Sequence, residues 1–105
     1  MTRTEWDDTM ARYMHRNDMT DDLDLTFILA GQRIEEGLRR ITVDLPEILD
    51  SSPALYVHGG LMSLMEINQD DEGLSREAAL FSSSLRNYAM KYSIENSDAI
   101  MRGVF

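Results

Sequence analysis

The sequence predicts an all-α fold: a single small bundle of about four helices with an extended C-terminal tail. Three observations predict it. Apolar residues recur at steps of three and four through two long stretches, residues 23–41 and 74–92. A third stretch, residues 52–65, opens with a helix-start signal and is then apolar on nearly every side. A helix of that kind is buried between neighbours. The length of 105 residues, 43% of them apolar and 28% charged, suits one globular domain with one modest core.

The first helix is expected over residues 4–16. Thr4 followed by Asp7 resembles a capping box. Acids Glu5, Asp7 and Asp8 lie in the first turn and bases Arg12, His15 and Arg16 in the last, the order the helix dipole favours. Trp6, Met10, Tyr13 and Met14 form its apolar stripe, and Asn17 and Asp18 break it. After a polar connector, the second helix is expected to begin between Asp22 and Thr26 and to run to about Arg40. Leu23, Phe27, Ala30, Ile34, Leu38 and Ile41 are its stripe. Glu35 with Arg39 and Glu36 with Arg40 stand four apart on its solvated side, in the favourable order.

Residues 42–51 are the main break. Thr42 and Val43 are too few for a strand, and Pro46 disfavours helix at Leu45. A short turn over residues 44–49 is expected to plug its leucines into the core. The third helix starts at Ser52, whose hydroxyl can cap it, with Pro53 at the first helical position, and runs to about Asn68. Its interior carries Gly59 and Gly60, each costing about 1 kcal/mol relative to alanine. That cost is tolerated where another backbone comes close or the helix bends, so both are candidate close-approach positions. After an acidic turn, the last helix starts between Asp71 and Ser75 and runs to about Tyr92. Its stripe is Leu74, Ala78, Phe81, Leu85, Tyr88 and Tyr92. Residues 1–92 thus form the helical domain and residues 93–105 a tail. The tail is polar at first, then ends in Ile100, Met101, Arg102, Val104 and Phe105. Termini are normally polar and frayed, so this apolar end either folds back or docks on a partner. We assign those five residues to partner binding.

The chemistry-bearing patterns are sparse. There is no cysteine, so no disulfide and no thiolate metal site. His15 and His58 lie on different helices, and each reads as a structural residue. No metal-binding His-Glu-x-x-His, phosphate loop or nucleophile elbow occurs. The acid clusters at residues 18–24 and 70–72 lack the glycine turn and the final glutamate of a helix–loop–helix calcium site. No catalytic residue, cofactor or metal is therefore expected. No apolar run is long enough to span a membrane, and residues 1–8 lack a signal-peptide core, so synthesis in the cytoplasm is expected. The net charge of −9 argues against binding nucleic acid through phosphates. It serves solubility, or complements a basic partner.

Two separated segments, taken together and in order, carry a family resemblance. Trp6, then Tyr13-Met14-His15-Arg16-Asn17-Asp18-Met19, precede Leu25-Thr26-Phe27-Ile28-Leu29-Ala30-Gly31-Gln32-Arg33-Ile34-Glu35-Glu36-Gly37-Leu38-Arg39. Further on stand Ala54-Leu55-Tyr56-Val57-His58-Gly59-Gly60-Leu61, the acids Asp70-Asp71-Glu72 and the helix to Tyr92. Over residues 5–92 this order resembles the head–tail adaptor proteins of tailed bacteriophages. One departure is the short break at residues 42–51, where many relatives carry a longer insert. The resemblance implies an all-helical, non-enzymatic protein of the virion's head–tail interface. It implies a ring of about twelve copies beneath the portal protein, with a tail or stopper protein below. DNA would pass through without specific binding, and the C-terminal segment would dock on the portal. The alternative is a small acidic helical regulator or inhibitor that binds a basic protein.

Overall fold

The computed structural model describes residues 1–38 and 43–95, with side chains described as far as Tyr92. All regular structure in them is helical: α1 (Arg3–Arg16), α2 (Leu23–Gly37), α3 (Leu45–Ser51), α4 (Pro53–Ile67) and α5 (Asp71–Glu95). The bundle has five helices among the described residues, one more than the periodicity predicts.

The additional helix is α3, in place of the expected short turn. Asp44 caps it, accepting from the Glu47 amide, and Pro46 falls in the first turn, where no intrahelical donor is lost. The helix buries Ile48 and Leu49. In α1 the cap is Thr2 rather than Thr4. The Glu5 amide donates to the Thr2 hydroxyl at 3.1 Å and the Thr2 amide to the Glu5 carboxylate at 3.0 Å. Glutamate has the reach to close this box. Asp7 instead takes Arg3 at 2.8 Å. Asp22 caps α2 through the amides of Asp24 and Leu25. That helix stops at Gly37, short of Arg40, because Leu38 leaves helical geometry at φ −111° and ψ 26°. The expected pairs of Glu35 and Glu36 with Arg39 and Arg40 fall outside the described residues.

Ser52 does not cap α4 with its side chain. It serves as the joint between α3 and α4: its amide donates to Ile48 O at 2.8 Å, and its carbonyl accepts from the Leu55 amide at 3.1 Å. Asp70 caps α5 through the Gly73 amide at 2.9 Å, and α5 runs on past Tyr92 to Glu95.

α4 is the hub, and α1, α2, α3 and α5 all pack on it. Leu55, Tyr56, Leu61, Leu64 and Met65 of α4 are buried between Trp6 and Met10 of α1, Ala30 and Ile34 of α2, Ile48 of α3 and Phe81 of α5. Among the described residues no helix is long and apolar enough to cross a membrane.

Candidate functional site

The two glycines of α4 face different neighbours. A Cβ on Gly60 would stand 2.7 Å from Trp6 Cζ2 and 3.2 Å from Met10 Sδ, both on α1. A Cβ on Gly59 would stand 3.3 Å from Phe81 Cε2 on α5 and 3.4 Å from Ala30 Cβ on α2. Side chains from three helices thus crowd one turn of α4. Trp6 is held there by its indole N–H, which donates to Tyr56 O at 3.0 Å. Phe27 meets Trp6 edge-on at 5.0 Å and stacks on Tyr56 at 4.6 Å. Arg3 closes the corner, its guanidinium 4.3 Å from the Phe27 ring centre and bonded to Asp7 at 2.8 Å and to Asp24 at 2.5 Å. The bond to Asp7 leads the effects that hold the Arg3 proton more tightly than usual. Burial pushes the hydroxyls of Tyr13 and Tyr56 up from their ordinary titration range.

A second cluster joins α4 to α5. His58 Nδ1 stands 2.6 Å from Glu77 Oε2, and Glu77 is only 7% exposed. In the Nδ1–H tautomer of His58 this nitrogen donates to the Glu77 carboxylate. His58 is thereby a partnered, half-buried residue. Glu77 is missed by the sequence reading because it sits beside the Leu74–Ala78–Phe81 stripe and reads as surface. His15 lies exposed at the end of α1. Among the described residues no three His, Asp or Glu side chains are placed to hold a metal ion. The pair clamps two helices together.

The remaining features are surfaces. Leu25 and Ile28 of α2, Ile67 at the end of α4, and Leu80 and Met90 of α5 are large apolar residues left in solvent. Beside Ile28 an open groove of about 370 Å³ is walled by Phe27, Gly31, Glu35, Leu45 and Tyr56. Beside α5 a groove of about 410 Å³ lies between residues 51–55 and Ser84, Asn87, Tyr88 and Lys91. The tail residues assigned to partner binding, Ile100, Met101, Arg102, Val104 and Phe105, lie outside the described residues. No protein-family model, no curated protein and no solved structure matches this chain.

Proposed function

We propose that this chain is a structural assembly subunit of the head–tail adaptor type, which forms a ring beneath a phage portal and links the capsid to the tail. The observation that carries this reading is the pair of apolar sites, Leu25 with Ile28 on α2 and Leu80 with Met90 on α5, among the large apolar residues that one small bundle leaves in solvent. A subunit of a closed ring needs two such contact surfaces, one for each neighbour. The resemblance of residues 5–92 adds the portal as the partner, and the net charge of −9 suits a channel wall along which DNA slides without adhering.

Native mass measurement and negative-stain imaging of the chain with a portal ring test the proposal. The expected result is a portal-bound ring of about twelve copies. A chain that binds no portal and instead captures a basic protein as a monomer would replace this reading with that of an acidic regulator. Removal of residues 99–105 tests the tail separately. Helicity and melting temperature are expected to stay unchanged while portal binding is lost. A large loss of stability would make the tail part of the core.

A further inference from the structure

Two of the helices carry charges of opposite sign along part of their solvent sides. After its first turn, where Asp71 and Glu72 are exposed, α5 carries Arg76, Arg86 and Lys91, all exposed, with Arg76 bonded to the Tyr13 hydroxyl of α1; the one acid between residues 73 and 91, Glu77, is buried against His58. Past that first turn the outward face of α5 is therefore basic, in a molecule whose net charge is −9. Leu80 and Met90, 43% and 58% exposed, lie on that face. Residues 76, 80, 83, 87 and 90 follow one another at steps of four, three, four and three, a single stripe along the helix.

The outward face of α2 has the opposite sign. Leu25 and Ile28 are 46% and 56% exposed, and Glu35 and Glu36 follow along the same helix, also exposed. The one cation within α2, Arg33, is turned to Ser63 at 3.2 Å and to Glu66 at 2.6 Å. At the helical rise the α2 face from Leu25 to Glu36 runs about 16 Å and the α5 stripe from Arg76 to Met90 about 21 Å. Each is the solvent side of a helix whose other side packs on α4.

We propose that the α2 face of one copy of this chain seats on the α5 face of the next. The apolar pairs supply buried area, and the acids of α2 meet the bases of α5 across the rim. Two different patches make the contact head-to-tail, the kind that closes a ring or runs on as a filament. Charges at the rim set the rate and the register of pairing, so salt weakens it. The inference rests on the reading of the chain as a self-assembling subunit and names the surfaces that do the assembling.

Sedimentation velocity of the full chain, free and with a portal ring, tests it with two variants. One carries Glu35→Lys and Glu36→Lys, the other Arg86→Glu and Lys91→Glu. All four side chains are exposed. Circular dichroism is expected to show both variants folded as the parent is. Each alone is expected to self-associate about tenfold more weakly or worse. Mixed, they are expected to recover association of parental affinity, because the untouched α2 face of one meets the untouched α5 face of the other and the two reversed faces are again opposite in sign. The proposal is overturned if either variant associates like the parent, if mixing rescues nothing, or if the parent stays monomeric both free and with the portal. Assembly through these faces without portal binding would remove the adaptor reading alone. A portal-bound ring indifferent to all four substitutions would remove this inference alone.

Discussion

Gly59 and Gly60 are neighbours in sequence, but a side chain would cost different amounts at each. At Gly60 the added Cβ meets a carbon of a fully buried ring at 2.7 Å, and that ring is pinned by its bond to Tyr56 O. At Gly59 the contacts of 3.3 and 3.4 Å ask for a shift of only a few tenths of an ångström. Alanine gains about 1 kcal/mol of helix propensity at either site. Gly59→Ala is therefore expected to be close to neutral. Gly60→Ala is expected to lower the unfolding free energy by about 1–2 kcal/mol, with overpacking outweighing propensity, as urea denaturation can check. Leucine at either site exceeds the space and damages the fold or its assembly. Glu5 gives a prediction in pH. Its carboxyl is held below its ordinary 4.5 by the Thr2 amide first and the Thr2 hydroxyl second. A carboxyl depressed in the folded state stabilises above its unfolded pKa and loses that contribution as pH falls through the folded one. The stability advantage of the parent over Glu5→Gln is thus expected at neutral pH and should shrink in thermal melts below pH 4.5. An advantage that persisted unchanged into strong acid would show that the box does not depend on the carboxylate.

Two of the helices end in the same way. After α1 and α4, Asp18 and Gln69 adopt positive φ, 52° and 58°, and the next amides reach back to Met14 O at 2.8 Å and Met65 O at 2.9 Å. Glycine is favoured at this left-handed stop. Gln69 is exposed, so Gln69→Gly is expected to stabilise by about 0.5–1 kcal/mol, read as a rise in melting temperature. The long helices were legible in the sequence because each carries several turns of stripe: Trp6 and Met10, Ala30 and Ile34, and Phe81 are all buried. α3 was not, because its two turns from Leu45 to Ser51 give no periodicity, and Pro46 reads as a breaker until its place in the first turn is known. The same limit applies to the contact surfaces. Exposed Leu25, Ile28, Leu80 and Met90 are composed like core residues, and only packing tells which apolar positions remain without a neighbour. Glu77 errs in the opposite direction, an acid that reads as surface and is folded inward by His58.

Because every other helix packs on α4, the bundle has one core and no second one to fall back on. Small domains are stable by only about 5–15 kcal/mol. Leu64 is 1% exposed at the centre of the hub, and Leu64→Ala is expected to cost about 2–5 kcal/mol through lost burial and the cavity left behind. That is a large share of the whole, and it should be felt by all five helices together. Met90 is 58% exposed near the end of α5, so Met90→Ala is expected to leave stability within about 0.5 kcal/mol of the parent. Amide hydrogen exchange separates the two regions directly. Amides of α4 should exchange only by global unfolding and accelerate together with those of α2 in Leu64→Ala. Amides near the end of α5 should exchange by local fraying in the parent and be indifferent to that substitution. Exchange from α4 that stayed slow while α5 and α2 accelerated independently would mean that the hub does not couple its neighbours, and that the bundle unfolds in parts.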